Sequence, residues 1–183
     1  MTGDPGALPE GLPEPRDDGA ADHLWEAAMP SIALPATDGR RVRLDGAGRA
    51  VVYAYPRMGT PLVDDWDLIP GARGCTSEAC GFHDHHAAIA SAGADVYGLS
   101  TQPSREQRDA AERLSLPFAL LSDATLEFTR ALRLPTFEAG GETLIKRLTV
   151  IVADGYVRHV FYPVFPPDRH AAEVLAWLRM VDP

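Results

Sequence analysis

Cys75 and Cys80 are the two thiols of the chain, and any redox chemistry it performs must pass through them. Cys75 follows a glycine-containing turn, Pro70 to Gly74, at the start of a helical stretch. A thiol in a first helical turn lies near unpaired backbone N–H groups and the positive end of the dipole, and both stabilise a thiolate. Cys75 is therefore expected to be the more acidic thiol. Positions Cys75, Ala79, Phe82, His86 and Ile89 recur at helical spacing, so Cys75 shares the stripe that faces a sheet and Cys80 does not. Five helical residues amount to about 140° of rotation and roughly 8 to 9 Å between Cα atoms. A disulfide closes only within ~7 Å, so joining the two requires the first turns to unwind. Free cysteine is often a small core hydrophobe, and that inert role is the alternative. A paired attacking and resolving thiol is the usual reason to tolerate such a hinge.

A helix of this kind needs a frame to hold it. Ile32 to Leu44 has the pattern of a small hairpin, with Asp38-Gly39 as its turn and apolar Val42 and Leu44 alternating. Ala50 to Tyr55 is a β-rich run, and an irregular stretch from Pro56 to Gly74 leads to a helix from Cys75 to about Ala92, stopped by Gly93. A strand at Asp95 to Ser100 precedes a helix from Ser104 to Leu114, where Ser104 and Gln107 have capping-box spacing. Pro117 to Leu121 is a further strand and Ala124 to Leu132 a further helix. Arg147 to Ala153 and Tyr156 to Phe161 make a hairpin across Asp154-Gly155. Pro166, Pro167 and Asp168 open a last helix through Met180, with Val174, Leu175 and Leu178 on its apolar side. Alternating strands and helices imply an α/β chain with a central β-sheet flanked by helices on both faces, and the closing hairpin makes that sheet mixed. With its N-terminal β-hairpin, the order suits a thioredoxin-like fold.

Residues 1–22 are rich in Gly, Pro and acid without apolar periodicity, so they are expected to form a disordered tail before one domain at 23–183. Lys and Arg total 17 against 26 Asp and Glu, and the net charge of -9 disfavours nucleic acid or an anionic membrane surface as partner. No secretory leader pattern and no long apolar run stands in the sequence, so the cytoplasm is the expected location. Two cysteines in 183 residues are not the disulfide framework of a small secreted domain.

The motifs around Cys75 resemble a known family. Tyr55 to Pro61 (Y-P-R-M-G-T-P) and Gly74 to Asp84 (G-C-T-S-E-A-C-G-F-H-D) are similar to peroxiredoxins, especially the bacterioferritin-comigratory or Q type of the AhpC/TSA superfamily. The likeness extends through Gly98 to Thr101, Leu120 to Asp123 and Lys146 to Gly155, covering nearly everything after the tail. It implies a thiol peroxidase in which Cys75 is the peroxidatic and Cys80 the resolving cysteine, joined in an intramolecular disulfide. Arg147 matches the arginine that supports the thiolate, where an always-charged fork also neutralises the oxyanion leaving a cleaved O–O bond. Pro56 and Thr60 match the family's Pro and Thr in mutual spacing, but an insertion at 62–73 separates them from Cys75, and Ala72 stands three residues before the cysteine where the family has Thr. Either the insertion loops out and Thr60 still reaches the thiol, or Arg73, two residues from Cys75, substitutes.

The implied partners are a peroxide substrate and a thioredoxin-like or glutaredoxin-like thiol reductant, acting on a monomer or homodimer. No cofactor is called for. Cys75, Cys80, His83, His85 and His86 are close in sequence, but Cys-x4-Cys is not a zinc knuckle and its thiols lie on different sides of a helix, so no metal is expected. A thiol-disulfide exchanger or peroxide sensor on the same fold is the alternative activity, although exchangers normally carry Cys-x-x-Cys. A redox-inert domain would show no fast thiol oxidation. Trp25, Trp66 and Trp177 share no spacing and call for no functional role.

Overall fold

The computed structural model describes residues 6–181. Its first strands form the hairpin that Asp38-Gly39 turns: β1 (Ala33–Pro35) and β2 (Arg41–Arg43) pair antiparallel, with Gly39 at a φ of 87°. The chain continues through β3 (Arg49–Ala54), α1 (Cys75–Ser91), β4 (Asp95–Ser100), α2 (Ser104–Arg113), β5 (Leu120–Ser122) and α3 (Glu127–Leu132). Then come β6 (Thr136–Ala139), β7 (Glu142–Ile145), β8 (Leu148–Ala153), β9 (Tyr156–Phe161) and α4 (His170–Val181). The central sheet has the order β5-β4-β3-β8-β9. Strands β3, β4 and β5 are parallel, and β8 and β9 run antiparallel to form the expected mixed sheet.

Period-two alternation along β3 divides the interior into two cores. Val51 and Tyr53 face Phe82 and Ile89 of α1, Ala110 of α2 and Val174 and Leu178 of α4. Ala50, Val52 and Ala54 face the other way, onto Leu34 and Val42 of the hairpin and Phe128 and Leu132 of α3. Phe82 is fully buried and stacks on Tyr53 at 4.4 Å between ring centroids, which anchors α1 to the middle of the sheet. Truncating such a side chain costs about 3–5 kcal/mol. Among the described residues no helix is long and apolar enough to cross a membrane.

Several local expectations are corrected. Ser104 does not cap α2: Pro103 holds that position without a side-chain bond, and Gln107 is buried with its Nε2 donating to the Leu121 carbonyl. The sheet recruits Gln107 because the end of β5 offers an acceptor that a surface cap would leave unpaired. Strand β5 begins at Leu120 rather than Pro117. Helix α3 starts at Glu127 because Asp123 accepts from the Phe128 and Thr129 N–H groups, satisfying donors of its first turn. The hairpin β6–β7 was not anticipated. Its Gly140-Gly141 turn has φ of 57° and 78°, as a tight two-residue turn requires.

For the N-terminal segment the expectation is a disordered tail. Residues 1–5 of that expected tail lie outside the described residues. Residues 6–21 contain no helix or strand, yet Leu8, Leu12, Pro13 and Pro15 are half-buried, and Ala21 and Leu24 enter the core. Average composition conceals these scattered apolar attachments. Beyond them the chain touches both margins of the sheet: Met29 donates to the Gly155 carbonyl, Val157 donates to that of Ala27, and Thr37 exchanges hydrogen bonds with Leu120.

Candidate active site

The site forms where the C-terminal end of β3 meets the beginning of β8, with the N-terminus of α1 above them. Ala54 lies opposite Leu148 in the sheet, so Arg147, just before β8, is delivered beneath α1. Gly74 caps α1 with a φ of 110° and no side-chain capping bond. Any Cβ there would run into Pro167, so glycine alone allows this approach of the connection before α4.

Cys75 is buried, 3% exposed, at the first position of α1. Arg147 Nη2 donates to its Sγ at 3.1 Å, and the thiol donates to the Ala72 carbonyl at 3.7 Å. The backbone N–H of Arg57 also donates to the sulfur. The same Arg147 Nη2 lies 3.2 to 3.3 Å from the carbonyls of Gly71, Ala72 and Arg73, so the turn before the helix clamps the guanidinium in place. Its Nη1 donates to Glu78, a fully buried carboxylate one turn along α1. Among the described residues, Arg147 Nε and Glu78 Oε1 have no hydrogen-bond partner.

One cation therefore serves two buried acids. Burial pushes the Cys75 thiol up; Arg147 pulls it down, Glu78 pushes it up again, and the net direction is upward. Dehydration and the neighbouring carboxylate thus oppose the helix start and Arg147 at this thiol. Burial pushes the Glu78 carboxyl up to about 7 against the pull of Arg147. Burial would lower the Arg147 guanidinium, but Cys75 and Glu78 together hold it above its ordinary value. When Glu78 carries a proton, a Cys75 thiolate is the only counter-ion left to Arg147 among the described residues. Nearby, His170 is held neutral, its pKa lowered to about 3 by burial and by Arg147, with Nε2 2.7 Å from Thr149 Oγ1.

A cavity of about 300 Å³ opens beside the sulfur, bordered by Arg57, Trp66, Ala72, Gly74, Cys75 and Thr76. The first-turn N–H groups of α1, uncapped by any side chain, are available to an oxygen there. Thr60 is exposed; its carbonyl accepts from Arg57 Nε at 2.8 Å, and no described hydrogen bond joins Thr60 to Cys75. Its neighbours Gly59 and Pro61 border the cavity. Pro56 is buried, and its carbonyl accepts from Ser100 Oγ. Arg73 turns its side chain outward to Asp67 at 3.0 Å and contributes a carbonyl to Arg147 rather than a cation to Cys75. Gln102 pins the same loop, accepting from the Met58 N–H and donating to its carbonyl, both at 2.9 Å.

Cys80 is half-buried on another side of α1, and both cysteines are thiols here. The inserted stretch packs Trp66 and Ala72 against Ala139 and Leu144 of β6 and β7. Trp66, for which the sequence suggested no role, is thereby a wall of the cavity. Glu78 was missed as well, although a charged residue one turn from Cys75 on an otherwise apolar stripe was a usable signal. The Arg57 backbone donor has no side-chain signature. No group of His, Cys, Asp and Glu among the described residues is arranged to hold a metal.

Comparison with known proteins agrees with this architecture. Residues 26–175 match the redoxin family model. The chain is 34% identical over 156 residues to peroxiredoxin Bcp of Escherichia coli K12, covering 82% of this chain and 92% of that protein. It is 33% identical to chloroplastic peroxiredoxin Q of Oryza sativa subsp. japonica, where the match spans 84% of this chain but 65% of the rice protein. The crystal structure of peroxidoxin BcpB from Mycobacterium tuberculosis superposes with a TM-score of 0.71 at 29% identity, covering 86% of this chain and 97% of that one. The thioredoxin-like domain and its buried Cys75–Arg147 pair thus stand in a chain that belongs to the redoxin family, in its peroxiredoxin Q and Bcp group.

Proposed function

We propose that the chain is a thiol peroxidase that reduces hydrogen peroxide or organic hydroperoxides, with Cys75 as the attacking thiol. The Arg147 guanidinium 3.1 Å from Sγ, beside an open cavity at a helix start, carries this reading. The Cys75 thiolate attacks one peroxide oxygen and the O–O bond breaks. Sulfur is oxidised to sulfenic acid, while the other oxygen leaves as an alkoxide or hydroxide and takes up a proton. Arg147 and the first-turn N–H groups stabilise the charge developing on that oxygen, a contribution typically of about 100-fold or more in rate.

Cys80 then attacks the sulfenic sulfur, forming the disulfide and releasing water. An external dithiol of the thioredoxin or glutaredoxin type supplies two electrons to restore both thiols. A reducing compartment such as the cytoplasm would keep such a reductant supplied with electrons. The helical separation of the two cysteines makes unwinding of the first turns of α1 an obligatory step.

Stopped-flow oxidation of the reduced protein by hydrogen peroxide, followed by mass mapping, tests the assignment. Cys75→Ser should abolish turnover, and the wild type should yield a Cys75–Cys80 linkage within one chain. Near wild-type peroxide consumption by Cys75→Ser, or an exclusively intermolecular disulfide, would remove the corresponding assignment.

A further inference from the structure

The residues matched by the family begin at 26, but an earlier segment of the chain lies against the reactive cysteine. Ala7 borders the Cys75 cavity. Leu8 crosses Gly74, its Cδ2 only 3.1 Å from where a Cβ would stand on that residue. Leu12 and Pro13 border a small space shared with Arg73, Arg147 and Pro167 on the other side of the turn. Pro15 packs on Gly71, one of the carbonyls that hold Arg147.

The far end of the segment is fastened. Asp18 pairs with Lys146 at 3.0 Å and accepts from the Tyr162 hydroxyl at 2.8 Å. These bonds hold the Asp18 carboxyl down at about 2, so it stays charged at any working pH. Lys146 immediately precedes Arg147 in the chain, so the fastening is placed beside the catalytic centre. Prolines 9, 13 and 15 restrict the backbone and lower the entropy lost when the segment lies down.

We propose that residues 7–18 form a strap that is one wall of the peroxide site and sets its size preference. Fastened, it leaves a cavity that admits hydrogen peroxide and small alkyl hydroperoxides and obstructs bulky organic ones. This rests on Cys75 being the attacking thiol. Because Leu8 crosses the residue just before Cys75, the strap also has to shift when α1 unwinds.

The test compares second-order rate constants of Cys75 oxidation by hydrogen peroxide and by cumene hydroperoxide in the full chain. Two variants loosen the strap independently: Asp18→Lys repels Lys146, and Leu8→Asp with Leu12→Asp removes the apolar attachments. The cumene-to-hydrogen-peroxide rate ratio should rise roughly threefold or more in each, as expected when a weak exposed pair and a few apolar contacts hold a two-state element. The charge swap Asp18→Lys with Lys146→Asp should return the ratio toward wild type. An unchanged ratio in both folded variants overturns the strap as a specificity wall, and a swap that fails to restore it overturns the fastening. Cys75→Ser run alongside separates the two levels: if it still consumes peroxide, the catalytic assignment has failed whatever the ratio does.

Discussion

Replacing Arg147 by alanine removes the only cation in contact with Cys75 among the described residues. At 3.1 Å and an effective dielectric of about 20, one full charge pair is worth about 5 kcal/mol. The guanidinium charge is spread over three nitrogens and shared with Glu78. About half of it, roughly 2 to 3 kcal/mol, should therefore act on the reacting sulfur and leaving oxygen. At 1.36 kcal/mol per factor of ten, Arg147→Ala is expected to slow Cys75 oxidation by roughly 30- to 150-fold. Trp66 borders the cavity, so stopped-flow tryptophan fluorescence can follow the reaction without a label. Arg147→Ala also strands Glu78, which should take up a proton rather than hold an uncompensated buried charge. Arg147→Ala with Glu78→Gln controls for that change, and Arg147→Lys should recover only part of the rate because an ammonium lacks the planar fork. Wild-type oxidation rates in folded Arg147→Ala would refute the electrostatic argument.

Cys80→Ser should keep the first oxidation and accumulate sulfenic or over-oxidised Cys75, seen as added oxygen mass on that residue alone. Glu78 has a folded pKa raised from 4.5 to about 7, so its contribution to stability is present below about pH 4.5 and lost as pH rises through 7. Urea denaturation at several pH values should show wild type losing on the order of 3 kcal/mol relative to Glu78→Gln across that window; parallel pH profiles would show that folding leaves the Glu78 pKa unshifted. Gly74→Ala forces a side chain into Pro167 at a φ of 110° and should cost about 1–3 kcal/mol with a lowered Tm; an unshifted melt would contradict the close packing of α1 on that proline.

Legibility in the sequence followed the range of the interactions. Strand β4 and helix α1 declared themselves because apolar periodicity and a glycine stop are local signals, and the two Asp-Gly turns and the 3-10 turn that Pro167 opens ahead of α4 are local too. Cys75 and Arg147 could be brought together only through family resemblance, since they are 72 residues apart and meet through sheet registry. Gln107 has the right spacing for a cap and a different partner, because β5 offers it a buried carbonyl. The Arg57 N–H and the Ala72 carbonyl act through backbone, which side-chain identity does not encode. The burial of Cys75 and the carboxylate beside it, which oppose the helix start and Arg147, are likewise tertiary facts.

The segment that touches both margins of the sheet has a consequence for how the molecule is made. A ribosome delivers Ala27 to Thr37 early, but their partners are Leu120, 83 residues beyond Thr37, and the Gly155–Val157 end of the last strand. Thr37 cannot be engaged until β5 has emerged, nor Ala27 and Met29 until β9 has, so this segment is seated well after it is made. Until then the exposed margins of β5 and β9 are open to other strands, and the belt that closes on them in the finished protein removes that hazard.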